Sequence, residues 1–360
     1  MHLRGPTSLV ALTSPVRAGR RLDLRAMLGV IGAGAMGSAL TCQLARAGHD
    51  VTILATPYDG PFLDAFRNGT PHPALGVTMP ACEIIEPDGW DEALPKAEVL
   101  VLAVSTAGLV STVRQAGHHT AKDVLWAIAT KGWDGDTLRS AASVVADEVG
   151  DPDRVIALVG PSIAAEIAQG VPTGIVSACT SLSSARRVAE LFESPSFRVF
   201  LSDDVAGVEV GAAVKNVIAI GIGLCDGLAG EFGVEAMTNT KAYVFSRGLV
   251  EMSRLARALG GRAETVLGLA GAGDLFVTAL AGRNGRFGRL VGTGMSPDEA
   301  LAEMNTTVEG YANGQAAVRL ADSHGLDLPV IAGIADVLYH GVPARVAIER
   351  LTAGAIEEEL

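Results

Sequence analysis

Three glycines, two lysines, a carboxylate and a group of arginines stand at places in this chain where their presence needs a reason. The glycines lie in LGVIGAGAMGSAL, Leu28 to Leu40, where Gly32, Gly34 and Gly37 keep a G-x-G-x-x-G spacing inside an apolar run. In that spacing the first Gly turns tightly off a strand, the second lets the backbone approach a pyrophosphate, and the third lets the next helix pack close. Alone the spacing is a weak signal, so its flanks matter. LGVI is an apolar strand-like run, Leu40, Leu44 and Ala47 follow at helical spacing, Gly48 ends the helix and VTILA begins a second strand. That βαβ context makes Gly32, Gly34, Ala35, Met36 and Gly37 candidates for binding a dinucleotide.

Lys131 follows the apolar run LWAIAT, Ser105 and Thr106 follow VLAV, and Gly160 to Ser162 follow ALV. In doubly wound sheets ligands sit beyond such strand ends. Lys131 is therefore either a cation of the site or a surface lysine in a turn. Further on, Gly207, Gly211, Lys215, Ala219 and Gly223 are four apart and share one face of a predicted helix. Each interior Gly costs about 0.8–1 kcal/mol relative to Ala. The flat face either admits a cofactor ring or substrate to Lys215, a proton donor and acceptor that burial would tune, or packs tightly on the sheet while Lys215 snorkels out. Both readings stay open. Asn216, beside it, can orient a substrate oxygen. Asp274 lies in the apolar, Gly-rich segment GLAGAGDLF, which would bury it, and a buried carboxylate needs a partner such as Lys215. GRNGRFGRL sets Arg283, Asn284, Arg286 and Arg289 around glycines at a predicted helix start, a pattern suited to phosphate, although Arg289 also fits a solvated basic face. Glu309, in TTVEGY, says little alone.

These residues need a frame. The 360 residues are 49% hydrophobic and 19% charged, which allows two folded domains. A net charge of -12, with no Lys/Arg cluster in the folded part, opposes nucleic acid and anionic membranes. No long uncharged apolar window with membrane-like flanks is present, so no transmembrane span is expected. Cys42, Cys82, Cys179 and Cys225 sit apart in apolar runs and read as reduced core cysteines, not as disulfides or metal ligands. Residues 1–26 carry five Arg and no sustained apolar stretch, and read as an unstructured extension ahead of Met27. From 28 to about 201, strand-like runs (CEIIE, EVLVLAV, DVLWAIAT, VIALVG, TGIVSA, FRVFL) alternate with helical patterns. The alternation predicts an α/β, doubly wound, mostly parallel sheet. After Ser202 the pattern is helical throughout. The expected domains are a dinucleotide-binding Rossmann-like unit over 27–203 and an all-α unit over 204–360.

Taken in order, VIGAGAMGSAL, ATKG, VGPSIAAEIAQGVPT, GAAVKNVIAIGIGLCDGL, RGLVEMSRLARALGG, GLAGAGDL, GRNGRFG, VEGY and VLYHG make the chain resemble the NAD(P)-dependent glycerol-3-phosphate dehydrogenase family over about 28 to 345. The resemblance implies a helical domain like the C-terminal domain of 6-phosphogluconate dehydrogenase, and reduction of dihydroxyacetone phosphate to sn-glycerol 3-phosphate for phospholipid synthesis. It implies that Lys215 exchanges the proton and that Lys131 meets substrate beside the nicotinamide. Asp274 and Thr278 would hold the Lys215 network and the substrate hydroxyl, and Arg283 and Asn284 would clamp the phosphate, with Arg283 also near the cofactor. Gly160, Ser162 and Ala164 would line the site, and Glu309 would meet the cofactor side. A cytoplasmic homodimer without metal is expected. Met36 stands where many members carry an aromatic residue and Gly282 where they carry Ser; the Gly282 version, with ATPYD after the second strand, is similar to a divergent, archaeal-like branch.

An NAD enzyme usually offers an acid at the end of the second strand for the ribose 2′-hydroxyl. Here LATPYDG puts Thr56 in that place, with Asp59 later and Arg67 the nearest arginine. NADP(H) is therefore expected to be favoured and NAD(H) tolerated. Two rivals share part of the pattern. A ketopantoate reductase-like or other hydroxyacid dehydrogenase has the same plan but a carboxylate substrate, which would use Arg283 and Asn284 differently. A nucleotide-binding sensor would have no need for Lys131, Lys215 and Asp274 together.

Overall fold

The computed structural model describes residues 27–353; the extension expected over 1–26 lies outside them. All eight apolar runs are strands of one sheet: β1 Met27–Ile31, β2 Thr52–Leu54, β3 Glu83–Ile85, β4 Ala97–Leu102, β5 Leu125–Ile128, β6 Val155–Val159, β7 Thr173–Ala178 and β8 Phe197–Ser202. Their order across the sheet is β3-β2-β1-β4-β5-β6-β7-β8, so the first six have the Rossmann arrangement. Every neighbouring pair is parallel except β6 with β7. The exception has a local cause. The link from β6 to β7 contains only the six-residue helix Ala164–Gln169, too short to carry the chain back along the sheet for a parallel return. One helix, Gly60–Asn68, was not foreseen, although Pro61 in its first turn and the left-handed Gly69 after its end mark it.

A second layer is built around the 24-residue helix Val205–Leu228, here called the central helix. The Asp204 carboxylate starts it by accepting the Gly207 N–H at 2.9 Å, and also accepts the Arg262 N–H at 2.8 Å and the Thr265 hydroxyl at 2.6 Å. With a mean hydropathy of 1.7 over its most apolar window, this segment passes the length and composition test for a membrane span. It is instead wholly buried, and a helix that is apolar on all sides is what a protein core requires. The helices Thr238–Ala258, Asp274–Ala281, Arg283–Gly292, Glu309–Ser323 and Pro329–Tyr339 pack around it. Cys42, Cys179 and Cys225 are buried, Cys82 is partly so, and all four are unpaired.

The glycine face of the central helix is occupied by protein backbone. A Cβ on Gly211 would lie 2.7 Å from the Ala270 carbonyl oxygen, and one on Gly223 2.2 Å from that of Gly285. Across the same seam a Cβ on Gly288 would lie 2.2 Å from the Ile220 carbonyl oxygen. At Gly211 and Gly223 the face thus packs on the backbone of neighbouring helical segments, not on the sheet. Lys215, 4% exposed, does not snorkel. This decides what Gly223→Ala should do. Helix propensity alone would raise stability by about 1 kcal/mol, but the clash is with backbone, so the substitution should instead destabilise by about 1–3 kcal/mol. A thermal melt reads the sign directly: a lower midpoint is expected, and a higher one would contradict the packing.

Candidate active site

The glycine-rich turn leaves β1 at Gly32, whose φ of 98° suits Gly. A Cβ on Gly37 would lie 2.0 Å from the Gly32 carbonyl oxygen, so the helix Ala35–Arg46 starts against the turn itself. Gly34 faces open space, with nothing within 4 Å of where a Cβ would stand. No side chain caps the first turn of that helix, which leaves its N–H groups and positive end for an anion. An open glycine beside an uncapped helix start fits a dinucleotide pyrophosphate. At the end of β2, the Thr56 N–H and hydroxyl both donate to the Asp59 carboxylate, at 2.8 and 2.7 Å. Asp59 is 5% exposed and so is turned inward, while Arg67 is engaged with Glu86 and lies 3.7 Å from Asp64.

The three ionisable groups singled out in the sequence meet at one point. Lys215 Nζ lies 2.6 Å from Asp274 Oδ1, and Lys131 Nζ lies 3.0 Å from Asp274 Oδ2. Lys215 also donates to the Thr278 hydroxyl at 3.1 Å, and that hydroxyl donates to the Asp274 carbonyl at 2.7 Å. Lys131 donates to the Ser162 hydroxyl at 3.3 Å, which in turn donates to the Gly160 carbonyl at 2.8 Å. Burial and the neighbouring Lys131 charge push the Lys215 pKa down to about 8 against the pull of Asp274. Burial opposes charge on Lys131 as well, but Asp274 and Glu309 outweigh it and hold that pKa above the usual lysine value. One ammonium is held charged and the other is poised near neutrality, the division of labour that proton transfer needs.

Each group is delivered by a specific backbone device. Lys131 ends the β5 loop, where its carbonyl accepts the Thr106 hydroxyl at 2.9 Å, while Thr130 donates to the Val104 carbonyl at 2.7 Å. Gly132, at φ 110°, lies against Asn313, which also donates to the Ala213 carbonyl on the central helix at 3.3 Å. Asp274 follows the π-helical turn Leu269–Gly273, and such turns often serve functional sites. Ser105 caps the helix Thr106–Gly117 by accepting the Gly108 N–H at 3.3 Å, and Ala164 opens the helix that follows Ser162. Met36, from the helix Ala35–Arg46, lines one small void with Lys131 and Ser162.

Beside the lysines lies a polar chain. Asn284 donates to Asn216 Oδ1 at 2.9 Å and accepts the Gly310 N–H at 2.9 Å, and Asn216 donates to Glu309 at 3.2 Å. Both side-chain amides are thus engaged within the protein, so Asn284 offers an anion its backbone N–H, in the first turn of Arg283–Gly292. That helix start has no side-chain cap. Arg283, 56% exposed at its side chain, bonds to Thr306 at 3.3 Å and lies 3.9 Å from Glu309. Thr130 and Asn313 were missed in the sequence reading, and Thr106 was marked only for its place after a strand, because nothing marks a lone hydroxyl or amide as the brace of a loop. Only Gly132, directly after Lys131, hinted that the loop needed an unusual conformation.

Family models for the N-terminus and C-terminus of NAD-dependent glycerol-3-phosphate dehydrogenase match residues 27–185 and 204–349. An NADP+-dependent glycerol-3-phosphate dehydrogenase from Archaeoglobus fulgidus is 36% identical over 323 residues, covering 88% of this chain and 96% of that protein. The solved glycerol-3-phosphate dehydrogenase of Coxiella burnetii superposes with a TM-score of 0.81 at 28% identity, covering 92% of this chain and all of that one (100%). A ketopantoate reductase from Ralstonia eutropha superposes with a TM-score of 0.54 at 17% identity, over 91% of this chain and 100% of the other, a likeness of fold alone. With both family models matched and the nucleotide turn and lysine cluster in place, the chain belongs to the NAD(P)-dependent glycerol-3-phosphate dehydrogenase family.

Proposed function

We propose that this protein interconverts dihydroxyacetone phosphate and sn-glycerol 3-phosphate, with NADP(H) preferred over NAD(H) and Lys215 as the proton donor and acceptor. The observation that carries the reading is the buried Asp274 carboxylate bridging Lys131 and Lys215, with the uncapped helix start at Arg283 in the same helical layer. When bound at the glycine turn, the reduced nicotinamide supplies the hydride that C2 of the ketone accepts. The Lys215 ammonium then gives its proton to the C2 oxygen, and in the reverse direction the neutral amine takes it back. Lys131 stays charged and stabilises the developing alkoxide. Asp274 orients both ammonium groups, and Thr278 and Ser162 each accept a hydrogen bond that fixes one of them. Arg283 and the N–H groups of its helix start hold the phosphate by charge and direction. A substrate ending in a carboxylate would make less use of that helix end, which favours the phosphate substrate over ketopantoate. Supply of the glycerol phosphate backbone for phospholipids, by a cytoplasmic homodimer, follows from the same reading.

Cofactor preference rests on an absence of free negative charge at the end of β2. The nearby carboxylate of Asp59 is buried and turned onto the Thr56 N–H and hydroxyl, so it is not presented to a ribose 2′-hydroxyl as the acid of an NAD enzyme would be. Thr56→Asp should lower kcat/KM for NADPH relative to NADH by about tenfold, the effect of about 1.4 kcal/mol of repulsion. Steady-state rates with the two cofactors measure it, and an unchanged ratio would contradict the assignment.

Lys215→Ala should reduce kcat in both directions by about 10²–10⁴-fold, the usual share of a general acid or base. The pH dependence has a defined sign. Ketone reduction needs Lys215 protonated, so its rate should fall as pH rises through about 8; alcohol oxidation needs the neutral amine, so its rate should rise through the same pH. Initial rates at 340 nm across pH 6 to 10, with dihydroxyacetone phosphate and with glycerol 3-phosphate, test both limbs. Profiles that share neither inflection nor opposite slopes would remove Lys215 from the role.

A further inference from the structure

His72 takes no part in the chemistry above, yet its ring is fully buried (0% exposed) against the glycine-rich turn. Its Nδ1 lies 3.2 Å from the Ala74 N–H, and its Nε2 lies 3.2 Å from the Ala33 carbonyl oxygen. Because a backbone N–H can only donate, Nδ1 is the acceptor and the ring proton sits on Nε2, which donates to Ala33. Burial lowers the His72 pKa from its usual value, in keeping with a neutral ring. The ring is stacked on Phe62 with centroids 5.1 Å apart and planes 9° apart, and Phe66 meets it edge-on at 6.5 Å. Its own backbone is fixed too, since the His72 N–H donates to the Val77 carbonyl at 2.8 Å and the His72 carbonyl accepts the Gly76 N–H at 2.8 Å.

Ala33 stands between Gly32 and Gly34, and its carbonyl accepts a second hydrogen bond, from the Ser38 hydroxyl at 2.8 Å. In a planar trans peptide the C=O of one residue and the N–H of the next point in opposite directions. Two donors that draw the Ala33 carbonyl toward themselves therefore aim the Gly34 N–H the opposite way, away from His72 and Ser38, and nothing lies within 4 Å of where a Cβ on Gly34 would stand. A turn made of glycines has no stiffness of its own to hold that peptide plane. We propose that His72 is a positioning residue for the dinucleotide: its Nε2–H fixes the Ala33–Gly34 peptide so that the Gly34 N–H is already directed at the pyrophosphate. This rests on the reading of the turn as a dinucleotide site.

Two substitutions separate the hydrogen bond from the packing. His72→Phe keeps a ring against Phe62 but removes the donor, whereas His72→Gln gives up the ring and can place an amide N–H where Nε2–H stood. NADPH affinity is measured without substrate by quenching of tryptophan fluorescence, and KM and kcat are measured with dihydroxyacetone phosphate. His72→Phe should weaken NADPH binding and raise its KM by about tenfold, the factor of a hydrogen bond of about 1.4 kcal/mol, with kcat at saturating NADPH little changed. His72→Gln should recover most of the affinity even where its thermal midpoint is the lower of the two. Wild-type affinity in His72→Phe, or equal losses in both variants, would overturn the proposal. If the wild-type protein binds NADPH but does not reduce the ketone phosphate, the substrate reading fails while the affinity comparison still decides the role of His72. If it binds no dinucleotide, both fall.

Discussion

The bridge from Asp274 to two lysines is the interaction on which the site depends. Removing three charged groups from water costs several kcal/mol for each, and mutual attraction offsets this only if the geometry is closely held. Here each carboxylate oxygen faces one ammonium, and each ammonium has a hydroxyl besides. The triad carries one net positive charge, which in the proposed reaction would stabilise the ketone oxygen as it becomes an alkoxide. Glu309, bonded to Asn216, tempers that charge at the edge of the cluster. Stability is sacrificed for a site whose electrostatics are set before substrate arrives.

Holding the triad requires distant parts of the chain to meet within tenths of an ångström, and the fold achieves this largely through backbone contact. Lys131 comes from a strand end of the sheet, Lys215 from the middle of the central helix and Asp274 from the helix start that follows a π-helical turn. Glycines at 211, 223 and 288 bring helical segments together at distances that no side chain would allow. The loss of helix propensity at these positions is repaid in rigidity, because backbone pressed on backbone has no rotamers to explore. The nucleotide turn follows a different principle. Gly37 presses on the Gly32 carbonyl while Gly34 meets open space, and the Ala33 carbonyl between Gly32 and Gly34 is held by hydrogen bonds from Ser38 and His72.

Much of this was legible in the sequence, for definite reasons. All eight strands were marked by apolar runs, since a sheet covered on both faces leaves little place for polar residues. Asp274 stood out because a carboxylate in apolar, Gly-rich surroundings must have a partner, Lys131 by its place just after a strand, and Lys215 by the glycines that share its helix face. The pairing of Lys131 with the same carboxylate was not evident, because a bridge across the sheet and the helical layer leaves no local spacing. The glycine face of the central helix was read two ways, and backbone packing emerged only when the neighbouring segments could be seen. Asn216 and Asn284 were marked as candidates for holding substrate, whereas their side chains bond chiefly to each other and to their neighbours. His72 gave no signal, since a single histidine between a proline and another proline resembles any loop residue.

The central claim is that Asp274 holds the Lys215 ammonium in place against burial and the Lys131 charge, and the pH dependence of ketone reduction by Asp274→Asn tests it most directly. Asparagine keeps the shape and removes the charge that favours the ammonium, so the inflection near pH 8 in the wild-type protein should move down by about one to three units, the effect of losing an opposite charge in contact. Dinucleotide binding should persist, because the glycine turn is built from other residues. An inflection that stays in place or moves up would contradict the account, since the carboxylate would then not be what holds the proton on Lys215.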